Sequence, residues 1–261
     1  MPKKVIHSSL IAMVCAATSI ALTGCSATSS SSLSSLVSKT TTSSTLTQTE
    51  IATGLKEALN IGIRTGIKTL SAKNGYYNDL ATRIGLPSEA LVITKNVSKL
   101  PGGEALVTKV VKNINAAASD AATQAVPIFT TALTEMTIAD AKTILKSKGT
   151  AATDYFKTKT KTPLKKLFGG YIDKSVKKKL IGDVSPQSCW NTMTSQWNEV
   201  ATSSVGRIAG FTTVKTDLTD YLTDKAVDGI YYKVGEQETK IRTDVSARTT
   251  ALLKKVFAHQ S

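Results

Sequence analysis

Residues 49–70 read TEIATGLKEALNIGIRTGIKTL, and this stretch decides the fold class. Its large apolar residues recur every three or four positions, as on one face of an α-helix: Ile51, Leu55, Leu59, Ile63, Ile67 and Leu70. Lys56 and Arg64 interrupt them, so the pattern predicts an amphipathic helix of a soluble body and not a membrane span. Gly62 and Gly66 could mark a close helix–helix contact, or be two tolerated glycines on a packed face.

The same helical spacing continues along the chain, and no stretch shows sustained alternation with period two. We therefore predict an all-α fold with essentially no sheet, formed by a single bundle-like domain at residues 49–258. Near the end, Glu236–Lys240 and Glu238–Arg242 are spaced four residues apart. On a helix these spacings predict two favourable ion pairs.

Local signals predict several helix boundaries. Thr137 followed by Asp140 resembles a capping box, which would start a helix there. Pro163 predicts another helix start, because proline is favoured at the first helical position. Two closing helices are expected, at about residues 211–232 and 236–257.

The first 24 residues resemble a bacterial export signal. Lys3 and Lys4 provide a positive start, and residues 10–22 are apolar but too short to span a bilayer stably. The stretch Leu22-Thr23-Gly24-Cys25 resembles the lipobox of bacterial lipoproteins. This resemblance implies diacylation of Cys25, cleavage before it and a third acyl chain on the new amino terminus. The alternative is an ordinary signal peptide that contains a cysteine.

The resemblance also implies a location. Three acyl chains would hold the protein stably on a membrane. Ser26 stands where an Asp would imply retention at the inner membrane, so the sorting rule of enterobacterial lipoproteins implies an outer-membrane anchor that faces the periplasm.

Residues 25–48 are expected to form the acylated cysteine and a flexible tether. Sixteen of residues 26–48 are Ser or Thr, a composition that cannot bury enough apolar surface to offset its chain entropy. As a coil the tether would span about 25 Å. Alternatively, residues 33–37 dock on the body or on the lipid surface.

Composition excludes most familiar site chemistry. His7 and His259 are the two histidines, and the mature chain has two cysteines, Cys25 and Cys189. Nucleophilic Ser–His or Cys–His pairs, zinc sites and a disulfide framework therefore lack their residues. No phosphate-binding or nucleophile-elbow motif is present. We predict no catalytic residues, no cofactor and no metal site.

The net charge of +14 is concentrated in one segment, since residues 142–180 carry twelve lysines against Asp154 and Asp173. Its candidate surface-binding residues are Lys165, Lys166, Lys174, Lys177, Lys178 and Lys179. A basic amphipathic helix can lie on an anionic surface. Alternatively, its apolar face packs into the core and the lysines are solvated. Gly169-Gly170 argues against one unbroken helix.

Four aspartates form an acidic stripe at helical spacing: Asp217, Asp220, Asp224 and Asp228. Like charges at this spacing repel each other, so they need partners. Basic side chains from residues 157–179 are one possibility, and a bound cation is the other.

The aromatic residues and four carboxylates suggest two further possibilities. In a helical body the aromatic residues are ordinary core or line a pocket for a lipid or another apolar molecule. Glu135, Glu199, Glu236 and Asp228 could supply acid–base chemistry on peptidoglycan, although no spacing singles out a pair.

Several ordered blocks resemble a family of bacterial exported proteins and lipoproteins known as domain of unknown function 4197. The matching blocks are residues 54–59, 126–129, 136–145, 151–156, 225–231 and 248–257. The resemblance implies an all-helical domain in the envelope and no particular activity. The chain departs from the family where it has Glu236-Gln237-Glu238, since relatives often show paired Glu there.

Together these observations favour a membrane-anchored periplasmic lipoprotein with a non-catalytic binding or structural role. Its expected partners are the membrane, through the N-terminal lipid, and an envelope protein or anionic surface. The alternatives are a carrier or sensor of a lipid or small apolar ligand, and an unfamiliar cell-wall enzyme. Nucleic acid is disfavoured because the basic segment has no recognised binding motif. The oligomeric state does not follow from the sequence.

Overall fold

The computed structural model describes residues 46–97 and 103–258, and within these ranges the prediction of an all-α fold is confirmed. The helices are α1 (Gln48–Leu70), α2 (Gly75–Asn78), α3 (Leu91–Val97), α4 (Gly103–Ala122), α5 (Ala125–Glu135), α6 (Ala141–Lys146), α7 (Ala151–Val176), α8 (Pro186–Thr202), α9 (Ser204–Ile208), α10 (Leu218–Thr243) and α11 (Ala251–Val256). The described residues contain no strand. The predicted signal peptide, Cys25 and the tether as far as residue 45 lie outside the described residues.

Helix α1 is the centre of the bundle and packs against α10, α5, α6 and α11. The contact with α10 depends on two glycines. A Cβ atom on Gly62 would lie 3.1 Å from the carbonyl oxygen of Val234, and one on Gly66 would lie 2.7 Å from the Cβ of Lys233. The two glycines therefore mark a close helix–helix contact, the first of the two interpretations of this pair.

The start of α1 is held by a capping box formed by Thr47 and Glu50, which was not predicted from the sequence. The Thr47 hydroxyl accepts from the Glu50 backbone N–H, and the Glu50 carboxylate accepts from the Thr47 N–H. Lys255 of α11 also donates to Glu50, at 2.6 Å. The hydrogen bonds from Lys255 and Thr47 lower the pKa of Glu50 to about 2. The capping carboxylate is therefore ionised at all ordinary pH values.

Helix α7 runs unbroken through Pro163 and Gly169-Gly170, so the predicted start at Pro163 and the predicted interruption at the glycines are wrong. Pro163 removes one backbone hydrogen bond in the middle of the helix. The helix continues because Phe156, Leu164 and Phe168 are completely buried on both sides of that point. Tertiary packing thus overrides the local signals.

Two other boundaries also differ from expectation. Helix α10 is one 26-residue helix where a break was predicted near Gly235, and this glycine is buried against Thr150. Helix α6 begins after Asp140, which makes no capping bond with its side chain. Thr137 lies between Met136 and Ile138, which are both buried, so packing and not a capping box positions that segment.

A buried polar cluster joins α6, α7 and α10. The Glu238 side chain is fully buried, and its carboxylate accepts hydrogen bonds from the backbone N–H groups of Ala152 and Thr153 at 2.9 and 2.7 Å. Arg242 forms a 2.8 Å ion pair with Glu238 and donates to the carbonyl of Leu145. The predicted Glu238–Arg242 pair is therefore present. It lies in the core, where it satisfies backbone groups at the start of α7 and near the end of α6. The predicted pair of Glu236 with Lys240 is replaced by one with Lys233.

None of the described helices combines the length and the apolar character that crossing a membrane requires.

Candidate functional site

The basic segment packs its apolar side inward and pairs part of its charge with α10. Lys157 and Lys161 lie 2.9 Å from the Asp228 carboxylate, and Lys161 and Lys165 lie 3.2 and 2.9 Å from Asp224. We call these five residues the charge ladder. For two of the four aspartates of the acidic stripe, Asp224 and Asp228, the ladder confirms the prediction that residues 157–179 provide the partners.

The ladder keeps its carboxylates ionised. Partial burial raises the pKa of Asp228, but hydrogen bonds from Lys157 and Lys161 outweigh it, so the pKa lies below its usual value. Burial also raises the pKa of Asp224, and hydrogen bonds from Lys165 and Lys161 again lower it further than burial raises it. Both groups are therefore anions at neutral pH.

The ladder predicts a loss of stability in acid. Because the pKa values of Asp224 and Asp228 are lower in the folded chain, their stabilising contribution is complete above about pH 4 and is lost as the pH falls further. Each partly exposed pair contributes about 1 kcal/mol or less. Urea unfolding from pH 7 to pH 2.5 should show a smaller acid-induced decrease for the double variant D224N/D228N. An identical decrease in both proteins would contradict the assignment.

The remaining candidate lysines fall into two groups. Lys177 pairs with Asp173 at 2.7 Å, and Lys178 pairs with Asp120 at 2.6 Å. Lys166, Lys174 and Lys179 are exposed and form no ion pair with any described residue. Three of the six candidate surface-binding lysines therefore form no ion pair with any described residue, and the other three are paired.

The acidic stripe is divided between different roles. Asp217 caps α10 by accepting from the Asp220 N–H, while Asp224 and Asp228 belong to the charge ladder. Among the described residues, no group of three His, Cys, Asp or Glu side chains could hold a metal ion.

Two of the carboxylates considered for wall chemistry line the same groove. This mixed-charge groove, of about 1100 Å³, lies between the segment of residues 81–86, the start of α7 and α10, and Asp228 and Glu236 both line it. They are eight residues apart on one helix, or about 12 Å. Glycosidase pairs stand roughly 5–9.5 Å apart, and one member needs a raised pKa. The lowered pKa of Asp228 does not suit a general acid.

The aromatic residues at the centre of the bundle are core. Phe129, Phe156, Phe168 and Tyr231 are buried and contact one another, with ring centroids 5.6 to 6.5 Å apart. The Tyr231 hydroxyl is hydrogen-bonded to Thr160 at 2.8 Å. Burial raises the pKa of Tyr231, and the hydrogen bond with Thr160 opposes this shift without cancelling it. These side chains fill the space between α5, α7 and α10.

An apolar groove of about 830 Å³ lies on the outside of this core, between α5 and α7. Pro127 and Ile128 of α5 and Pro163 and Leu167 of α7 line it. Leu167 is 60% exposed, although the helix around it is well packed. Large exposed aliphatic side chains beside further apolar groups are typical of binding surfaces.

Tyrosines and lysines border the apolar groove. The ammonium group of Lys159 lies 5.6 Å from the centre of the Tyr155 ring, and Lys174 lies 5.6 Å from that of Tyr171. Both tyrosines line the groove. Glu135 is the one acidic side chain in its lining. Lys159 and Glu135 are thus the charged side chains of the lining, and Lys174 lies next to it, so the groove combines an apolar floor with charges of both signs at its border.

A model of a protein family matches residues 45–258, which is most of the chain. The chain belongs to the DUF4197 family. That family is described as proteins of unknown function, so membership in DUF4197 confirms the resemblance and assigns no activity. No curated protein matches the chain. No solved structure matches it either.

Little of the apolar groove was predictable from the sequence. The candidate surface-binding lysines do not line it, and the apolar residues of the basic segment were expected along one face, packed in the core or laid on an anionic surface. Leu167 instead points outward beside Pro163, and the second wall comes from α5, which carries no charge before Glu135. One proline in the interior of each helix, Pro127 and Pro163, was the feature of the sequence that could have indicated this groove, and both are exposed and line it.

Proposed function

We propose that this chain is a lipid-anchored, non-catalytic binding protein of the bacterial envelope, which takes up an apolar ligand in the groove between α5 and α7. The observation that carries the proposal is the exposed Leu167 in an apolar groove of about 830 Å³. Ligand sites commonly have volumes of roughly 300–1,000 Å³ and mostly apolar linings.

The apolar groove is better suited to binding a ligand than the mixed-charge groove is. The carboxylate of Asp228 already has two lysine partners there, and Glu236 has Lys233. A ligand would have to displace these ion pairs. In the apolar groove, a ligand would instead cover apolar surface, which is favourable by about 25 cal/mol per Å².

A neutral apolar dye such as N-phenyl-1-naphthylamine tests this function. We expect its fluorescence to rise with the unchanged protein and L167D to weaken binding at least tenfold, because the variant places a charge on the groove floor. The matched control is I208D, since Ile208 is 89% exposed on α9 and lines neither groove. Equal dye binding by the unchanged protein and L167D would reject the groove as the site.

The anchor part of the proposal rests on Lys3, Lys4 and the Leu22-Thr23-Gly24-Cys25 stretch. In cells fed an alkynyl palmitate, the unchanged chain should become labelled and should sediment with outer membranes. The variant C25S should lose the label and the signal-peptide cleavage, because it lacks the acylated thiol. C189S is the matched control and should behave like the unchanged chain. Labelling of C25S would contradict the anchor assignment.

A further inference from the structure

We propose that the apolar groove binds an amphiphile with one aliphatic tail and a zwitterionic head group, whose ammonium group is held by Glu135 and whose anionic group is held by Lys159. This inference rests on the proposed function and adds the chemical class of the ligand and its orientation in the groove.

The two charged side chains of the lining lie at the same end of the groove. Glu135 comes two residues before Thr137, whose carbonyl accepts a 3.0 Å hydrogen bond from the Tyr155 hydroxyl. Lys159 follows Tyr155 by about one helical turn, and its ammonium group lies 5.6 Å from the centre of that ring. A head group placed at this end therefore meets charges of both signs.

Glu135 and Lys159 are both available to a ligand. Both are exposed, and neither forms an ion pair with any described residue. An anionic ligand would satisfy Lys159 but would be repelled by Glu135, and a cationic ligand would meet the reverse situation. A head group that carries both signs satisfies the two side chains together.

The backbone of α7 supplies a further acceptor for the ammonium group. In an unbroken α-helix the carbonyl of Lys159 accepts from the N–H of residue 163, but Pro163 has no N–H to donate. Lys159 and Pro163 both line the groove, and Pro163 is exposed. Because an ammonium group has three donors, it can donate to this carbonyl as well as to Glu135.

The rest of the lining fits a single aliphatic tail. Pro163 and Leu167 follow each other on α7 at a spacing of one helical turn, and Pro127 and Ile128 line the groove from α5. None of these side chains carries a hydrogen-bonding group, so an aliphatic tail covers them without leaving a polar group unpaired. Lys159 and Leu167 are eight residues apart, or about 12 Å along α7. A tail that begins at the head group beside Lys159 therefore extends over this apolar floor.

Native mass spectrometry of the full-length chain, released from a non-ionic detergent, tests this inference. Dodecyl phosphoethanolamine, dodecyl phosphate and dodecylamine share one tail and carry a zwitterionic, an anionic and a cationic head group, and they are added together at equal concentrations. We expect the chain to retain the zwitterion about fivefold more than either of the other two. An exposed ion pair contributes at most about 1 kcal/mol, which corresponds to about fivefold in affinity.

Each charge is tested by its own variant. E135Q should remove the preference over dodecyl phosphate, and K159Q should remove the preference over dodecylamine. L167D should lose all three amphiphiles, because it places a charge on the floor under the tail. The matched controls are E104Q and K109Q, which remove one charge of each sign at exposed residues of α4 that line neither groove. Both controls should keep the preferences of the unchanged chain.

Three results would overturn the assignment of the head group. The first is equal retention of all three amphiphiles by the unchanged chain. The second is the same loss of preference in E135Q and E104Q, or in K159Q and K109Q. The third is a preference for dodecyl phosphate that persists in K159Q, because the anion would then be held elsewhere, as beside Lys174 at the other end of the groove.

The neutral dye separates this inference from the proposed function. If the dye binds in a Leu167-dependent way while the chain shows no preference for the zwitterion, the assignment of the head group is wrong and the proposed function stands. If the dye also fails to bind, both are wrong.

Discussion

Replacing Glu238 by Gln is expected to lower the free energy of unfolding by about 3–5 kcal/mol, because it removes the buried carboxylate that forms an ion pair with Arg242 in the core. The Glu238 side chain is fully buried and the Arg242 side chain is 5% exposed, so water cannot replace the lost partner. The N–H groups of Ala152 and Thr153 donate to the two different oxygens of the carboxylate, so the amide NH₂ of glutamine would also oppose one of them. Urea unfolding followed by circular dichroism measures this change.

The matched control for this prediction is E236Q. Glu236 lies two residues earlier on α10, is 39% exposed and pairs with Lys233 at the surface. Its replacement should cost less than about 1 kcal/mol. Equal losses in E236Q and E238Q would show that burial of the pair does not determine its contribution.

Replacing Phe129 by Ala is expected to cost about 3–5 kcal/mol, through lost burial and the cavity left behind. Phe129 is completely buried and contacts the rings of Phe156, Phe168 and Tyr231. Phe211 offers the comparison, because it is only partly buried against the core and stacks on Trp197. F211A should therefore be clearly less destabilised than F129A in the same urea titration.

This pair of variants also tests the role of the aromatic residues. If they form the core, F129A creates a new apolar cavity, which should bind benzene or xenon only in the variant. A loss below about 1 kcal/mol in F129A, together with benzene binding to the unchanged protein, would show that the aromatic residues line a pre-existing pocket.

Periodicity predicted the fold class because it reports the average environment of many residues. In α1 every large apolar residue at helical spacing is buried, from Ile51 to Leu70. The partnership of the acidic stripe with the basic segment was also predictable, since unscreened like charges on one helix need nearby counter-charges. The lysine–aspartate pairs of the charge ladder satisfy that need.

Boundaries and the apolar groove depended on contacts between residues far apart in the sequence. Pro163 and Gly235 are local signals for a helix boundary, yet both lie inside helices that packing stabilises. The apolar groove needs Pro127 and Leu167 to face the same side, which no local pattern encodes. Glu238 looked like half of a surface pair, because its distance from the start of α7 is not visible in the sequence.

The ion pairs of the charge ladder do not by themselves fix the position of α7 along α10. Its rungs repeat at about one helical turn, so a shift by one turn would still place most lysines beside an aspartate. The contact of Glu238 with Thr153 occurs once, and a shifted alignment would break the hydrogen bonds that the Thr153 N–H and hydroxyl donate to the Glu238 carboxylate. The contact of Glu238 with Thr153 thus fixes the relative position of α7 and α10, the two longest described helices. Single ion pairs of the charge ladder can be lost without changing that position.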